Sequence, residues 1–202
     1  MTQVSGIQKL LIANRGEIAV RVAHSLQRLG ISSAAVVHAQ DSHSPAAEAV
    51  DEACPIDGET PIAAYLDAKQ IIGVAKRIGA DALHPGYGFL AENAEFAAAV
   101  EKAGIRWVGP TPEVIRLMGD KIEARRFVAS QGFSLTPSAN EEDDPASFAE
   151  RAGLVGFPLL IKAAAGGGGK GMQIVWNASQ LEGAIALARS EATRYFGDGR
   201  IY

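Results

Sequence analysis

Apolar positions along the chain fall into short unbroken runs and longer helical-period segments, and the two kinds alternate. Lys9-Leu10-Leu11-Ile12-Ala13 is such a run, the pattern of a strand buried on both faces of a parallel sheet. Asn14-Arg15-Gly16-Glu17 turns out of it. Ile18, Val22, Leu26 and Leu29 then recur at helical spacing until Gly30 stops the helix. Residues 33–37 give a second strand, and the polar stretch 40–45 reads as a loop. Strand, helix, strand at this spacing is a βαβ unit, which predicts a parallel sheet with right-handed crossovers. The alternation continues with a helix over 64–78, with Leu66, Ile71, Ile72, Val74 and Ala75 available for its buried side. A strand over 82–84 runs into Pro85-Gly86-Tyr87-Gly88-Phe89. A helix over 94–103 and a strand over 106–108 follow. By residue 115 an open Rossmann-like sheet is complete.

A second module begins near Met118, which divides the chain into 1–117 and 118–202. Gly119-Asp120-Lys121 opens a helix running through Phe127 and Val128. Residues 136–137 and 141–145 form a polar linker, and 147–151 suggests a short helix. An apolar strand over 158–163, a glycine-rich loop over 166–171 and a returning strand over 172–175 read as a hairpin. A long helix over 178–196 is Ala-rich on its buried side, and Arg200-Ile201-Tyr202 looks like the opening of another strand. The end reads as a truncation.

Composition narrows the class. The chain has 202 residues, 48% hydrophobic and 21% charged, with formal net charge −4. It is long enough to bury a core and shows no basic stripe for nucleic acid. The single Cys54 rules out an intrachain disulfide and reads as a small buried hydrophobe. No apolar run approaches the ~20 residues of a membrane span. With neither a signal-type nor an Arg-rich leader, the chain reads as cytoplasmic.

The clearest chemical signal is Gly166-Gly167-Gly168-Gly169-Lys170-Gly171. Successive glycines let the backbone approach a ligand and aim N–H groups at anionic oxygens, and Lys170 adds positive charge. The hairpin setting and the lack of Ser or Thr after Lys170 separate it from a P-loop. A flexible linker is the bland alternative, but apolar strands flank this loop on both sides. Lys162 lies inside the preceding strand, where a lysine either reaches solvent at the strand end or engages a ligand. Lys121 alone would read as a solvated surface lysine.

Together, Met118-Gly119-Asp120-Lys121, Ile161-Lys162-Ala163 and the glycine hairpin resemble the ATP-grasp superfamily. The resemblance implies that Lys121 and Lys162 contact the nucleotide phosphates. It gives Gly166, Gly167, Gly168, Gly169, Lys170, Gly171 and Met172 to the lid over them. The first module narrows this. Leu11-Ile12-Ala13-Asn14-Arg15-Gly16-Glu17-Ile18-Ala19 and His84-Pro85-Gly86-Tyr87-Gly88-Phe89-Leu90-Ala91-Glu92-Asn93 resemble the N-terminal domain of biotin carboxylases. So do Ile115 through Lys121 and Ala163 through Met172. One departure is Lys170, where arginine is common.

The fold expected is therefore α/β: a Rossmann-like parallel sheet, then the small ATP-grasp lid subdomain, with the C-terminal lobe missing. The resemblance implies an ATP-dependent ligase that carboxylates biotin on a carrier domain through carboxyphosphate, using Mg2+ or Mn2+ with ATP and bicarbonate. An acyl-CoA carboxylase is the expected parent, with a carboxyltransferase and a second copy as partners. The fragment itself is expected to be inactive. Glu92 is the acidic candidate near bicarbonate, with a solvated helix-start role as its alternative. Arg15 and Glu17 either serve the crevice or take a structural role, pairing or capping the helix. His24 and Arg28 share a helix face that some relatives use for dimer contacts. No metal-ligand spacing appears among the histidines. Rival readings are another ATP-grasp ligase, such as a carbamoyl-phosphate synthetase relative, and a non-catalytic nucleotide-binding or assembly module. A nicotinamide oxidoreductase is disfavoured, because the G-x-G-x-x-G fingerprint is missing.

Overall fold

A computed structural model describes residues 6–166 and 169–202. The chain divides into two compact units, Met1–Ile115 and Arg116–Tyr202.

The first unit is built on five parallel strands, β1 (Lys9–Ile12), β2 (Ser32–His38), β3 (Glu52–Ile56), β4 (Ala82–His84) and β5 (Arg106–Trp107), in the order β3-β2-β1-β4-β5. Side chains alternate across a strand, so β1 feeds two cores. Leu10 and Ile12 pack with Ala35 and Ala82 against Ile18, Ala19, Val22 and Leu26 of α1 (Gly16–Leu29). Leu11 points the other way, with Val36 and Leu83. It meets Ile71 and Val74 of α4 (Ala68–Arg77) and Phe96 and Val100 of α5 (Ala94–Lys102). Both faces are covered, which is why β1 and β2 are apolar without polar alternation. Gly30 takes the left-handed conformation (φ 69°) that ends α1, as its position after Leu29 predicts.

Three local expectations are corrected. The helix foreseen over 64–78 is two helices, α3 (Pro61–Tyr65) and α4. The Asp67 carboxylate accepts the Gln70 N–H at 2.9 Å, so a new helix starts where one long one was expected. Leu66 falls at the break and is 44% exposed rather than buried. Strand β3 was not foreseen, because Pro55 interrupts the pattern. It lies at the sheet edge, where a proline without an N–H is tolerated. The loop foreseen at 40–45 holds a 3₁₀ turn at Ala39–Asp41 and leads into the one-turn α2 (Pro45–Glu48).

An additional helix, α6 (Pro112–Gly119), runs across the unit boundary. The second unit continues with α7 (Lys121–Ser130) and α8 (Phe148–Val155), the latter longer than the 147–151 segment suggested. Next comes the antiparallel hairpin β6 (Leu159–Ile161) and β7 (Gln173–Val175), followed by α9 (Leu181–Phe196). Ile185, Ala188 and Ala192 of α9 pack on Ile161, Ala163 and Val175. Residues 200–202 extend the hairpin: Ile201 bridges Ala163 in antiparallel fashion and is fully buried.

Candidate functional site

In the second unit, Asp120 starts the construction. Its Oδ1 accepts the N–H groups of Ile122 and Glu123, each at 3.0 Å, capping α7 and fixing Lys121 in the first turn. The Lys121 N–H donates to Ala164 O at 3.0 Å. Its ammonium donates to Ala164 O at 3.5 Å and to Gly166 O. Helix α7 is thereby tied to the point where the chain leaves β6 for the glycine loop. Lys162, half-buried, stands one residue beyond β6. No hydrogen bond or ion pair reaches its ammonium among the described residues. Lys170 is exposed, its ammonium 5.6 Å from the Tyr195 ring centroid, a cation–π contact.

These groups converge. Lys121, Lys162, Gly166, Gly169, Lys170 and Met172 line one cavity of about 40 Å³. A water needs roughly 10–15 Å³ of such space, so there is room beside the lysines for a small polar group. Beside it the hairpin leaves an apolar shelf, with Leu160 opposite Ile174 in the register. Leu160, Met172 and Ile174 are 40, 44 and 61% exposed. A larger cavity of about 260 Å³ shares Lys162. Its other cation, Arg125, is taken up by Thr136 and Ser138. Gly166, Gly169 and Gly171 have φ of 77°, 76° and 69°, so three of the loop glycines are required by backbone conformation alone. Gly167 and Gly168 lie outside the described residues.

The first unit offers a second location. The strand order reverses between β1 and β4, where open α/β sheets form a ligand crevice at the carboxyl ends of the strands. Here one side chain bridges that crevice. Asn14, 2% exposed, donates from Nδ2 to Pro85 O at 2.7 Å and Tyr87 O at 2.8 Å. Its Oδ1 accepts the Arg15 N–H at 2.8 Å. A Cβ on Gly86 would lie 2.6 Å from Asn14 Nδ2, so this turn needs glycine at 86.

Arg15 and Glu17 both take structural partners, though not one another. The Arg15 guanidinium lies 3.3 Å from the Asp41 carboxylate and 5.7 Å from the Tyr65 ring centroid, and it does not cap α1. Glu17 accepts from the Tyr87 hydroxyl. Tyr65 donates to Asp41 at 3.0 Å, and burial pushes its hydroxyl up to about 12. Glu92, in the first unit, is exposed. Asn93 rather than Glu92 caps α5, accepting the Phe96 N–H at 2.9 Å. His24 and Arg28 are exposed on α1. Among the described residues no group of three or more His, Cys, Asp or Glu could hold a metal, and no helix is long and apolar enough to cross a membrane.

Comparison with known proteins bears on this arrangement. Residues 6–115 match the family model for the biotin carboxylase N-terminal domain. Residues 120–202 match the ATP-binding domain of the carbamoyl-phosphate synthase L chain. The chain is 46% identical to mitochondrial pyruvate carboxylase of Rattus norvegicus, covering 97% of this chain and 17% of that protein. It is 43% identical to biotin carboxylase of Pseudomonas aeruginosa, covering 97% of this chain and 44% of that one. Among solved structures, the Campylobacter jejuni biotin carboxylase–β,γ-ATP complex aligns with TM-score 0.90 and 36% identity, over 98% of this chain and 44% of that one. A biotin carboxylase domain dimer of Hydrogenobacter thermophilus 2-oxoglutarate carboxylase, in complex with MgADP, ADP and bicarbonate, aligns with TM-score 0.87 and 38% identity. That match covers 96% of this chain and 43% of the other. The chain thus spans less than half the length of these relatives. With 110 of its 202 residues (6–115) inside the N-terminal domain model, the chain belongs to the biotin carboxylase family.

Proposed function

We propose that residues 1–202 form the N-terminal part of a biotin carboxylase, with 1–117 as its Rossmann-like domain and 118–202 as the start of its ATP-grasp domain. One observation carries the nucleotide role. Three lysines from separate elements, Lys121 on α7, Lys162 after β6 and Lys170 in the loop, line a single small cavity. In this reading Lys121 and Lys162 hold the phosphates of ATP and stabilise charge on the phosphoryl group passing to bicarbonate. The segment 166–172 would serve as the lid over them, and its closure would exclude water from the reactive carboxyphosphate. The shelf of Leu160, Met172 and Ile174 offers an apolar surface to the base. Magnesium or manganese would neutralise phosphate charge, and nothing in the described residues supplies a complete ligand set for it.

Glu92 is proposed as an acid near bicarbonate. It is exposed, and a solvated role at the helix start is the alternative. The proposed partners are biotin on a carrier domain, a carboxyltransferase and a second copy of the carboxylase, and the proposed location is the cytoplasm. The Hydrogenobacter relative is described as a dimer. Similarity to a pyruvate carboxylase and a biotin carboxylase at 46 and 43% supports the biotin half-reaction that both names share. It does not favour the acyl-CoA acceptor expected from the sequence. Residues 1–202 alone are proposed to be inactive, because they correspond to 44% of the Pseudomonas biotin carboxylase.

The test is ADP release by a full-length biotin carboxylase polypeptide carrying these residues, with bicarbonate, and with or without free biotin. Biotin-stimulated turnover that collapses on Lys162→Ala is the expected result. Turnover indifferent to biotin would overturn the carboxylase reading in favour of another ATP-grasp ligase. Carboxybiotin formed by residues 1–202 alone would overturn the proposed inactivity.

A further inference from the structure

The stretch 200–202 pairs with the segment that carries Lys162. Lys162 N–H donates to Tyr202 O and Tyr202 N–H donates to Lys162 O, both at 2.9 Å. Ala164 N–H donates to Arg200 O, also at 2.9 Å. Ala164 O in turn accepts the Lys121 N–H at 3.0 Å. The Arg200 side chain reaches the same place from the other side. Its guanidinium lies 2.8 Å from Asp120 Oδ2, and Oδ1 of that carboxylate caps the helix beginning at Lys121. The bonds close a circuit: Arg200 backbone to Ala164, Ala164 to Lys121, the adjoining Asp120 back to the Arg200 side chain.

We propose that Arg200 is a positioning residue for nucleotide binding, which fixes Lys121 and Lys162 relative to one another by holding Asp120 with its side chain and Ala164 with its backbone. This rests on the reading of the two lysines as phosphate ligands. They sit on different elements, α7 and the end of β6, and neither element pairs with the other as helix or strand. Register between the two ammonium groups is set by the Lys121–Ala164 bond and by whatever keeps Asp120 in place. Arginine suits the second task because its planar fork serves several carboxylates at once. Asp198 grips Nε at 3.0 and 3.1 Å and one terminal nitrogen at 2.6 Å, which orients the plane toward Asp120. Glu142 takes the other terminal nitrogen at 3.3 Å. Asp120 is the least exposed of these carboxylates, its side chain 19% accessible, so this contact is the least screened by water.

The test uses a full-length biotin carboxylase polypeptide carrying these residues, comparing wild type with Arg200→Met, Arg200→Lys, Asp120→Asn and Lys162→Ala. Asp120→Asn keeps a residue that caps helices well and removes only the charge partner, so it serves if Arg200→Met fails to fold. Arg200→Met and Asp120→Asn are each expected to raise the KM for ATP about tenfold, the lower end for loss of a supporting residue. The KM values for bicarbonate and biotin should stay within about twofold, and Arg200→Lys should recover part of the ATP effect. Combining Arg200→Met with Asp120→Asn should add little to either alone, because both break the same contact. A lowered thermal midpoint with an unchanged KM for ATP would overturn the proposal and leave Arg200 as a fold contact only. If Lys162→Ala also leaves the KM for ATP unchanged, the underlying nucleotide reading fails as well. If Lys162→Ala raises it while the Arg200 and Asp120 variants do not, only the positioning role fails.

Discussion

Gly166 and the Phe196 ring compete for one space: a Cβ on Gly166 would overlap the edge of the Phe196 ring at Cε1 and Cδ1. The backbone at Gly166 is also left-handed, with φ of 77°. This glycine is therefore fixed by packing on α9 and by conformation, independently of any ligand. Gly166→Ala is expected to lower stability by roughly 2–4 kcal/mol, combining backbone strain with overpacking. Urea unfolding of the single variant and of Gly166→Ala with Phe196→Ala checks it. The second change should relieve the steric part, making the pair clearly non-additive. Simple additivity would show that the ring moves aside freely.

Asn14 is the corresponding anchor in the first unit. Its amide serves two carbonyls across the crevice between β1 and β4 while 98% shielded from solvent. Asn14→Ala strands both carbonyls and is expected to cost about 3 kcal/mol in urea unfolding. Asn14→Asp keeps the size but loses the donor and should be at least as damaging. A variant within about 0.5 kcal/mol of wild type would mean that water replaces the amide there.

The sheet and its crossovers were legible because their physics is local. Apolar runs at 9–13 and 33–37, separated by a 3.6-period helix, leave little but a parallel βαβ unit. The lysines and glycines of the second unit were legible as residue types, and Lys121, Lys162 and Lys170 do meet at one cavity. What escaped depended on partners far along the chain. Pro55 hid β3 because only the finished sheet shows that strand at an edge. Asp67 looked like one polar residue in a helix rather than the cap of a new one. Asn14 carried no sign that its amide would reach residues 85 and 87. Arg200, two residues from the end of the sequence, gave no hint of gripping Asp120, 80 positions away.

Cys54 is buried at 2% exposure on β3, and burial, with Glu52 second, pushes its thiol above the usual range. A thiol that is both shielded and protonated reacts slowly. Alkylation by iodoacetamide at neutral pH is expected to proceed only at the rate of local or global opening, and to become rapid in denaturant. Fast native modification would show that the β3 edge opens readily.

His84 sets an expected pH dependence of stability. Its Nδ1 accepts the Gly86 N–H at 2.9 Å, and burial, followed by the nearby Arg21 charge, holds the imidazole below its ordinary 6.5. The unfolded chain takes up this proton near pH 6.5, whereas the folded chain waits until lower pH. In the interval the unfolded state binds more protons, so stability falls as pH falls. Above about pH 7 the group contributes no slope. Asp51 and Asp81 act in a different window. Backbone N–H donors, from Ser33 to Asp51 and from Lys9 and Gln8 to Asp81, lower both carboxyls below 3.8. Their contribution is complete above that value and is lost only as pH drops through it. Urea midpoints measured from about pH 8 to 3 should therefore show a first decline starting near 6.5 and a second near 4. His84→Asn keeps an acceptor for Gly86 and should flatten the first decline while leaving the second. A first decline that survives the substitution would assign it to another histidine.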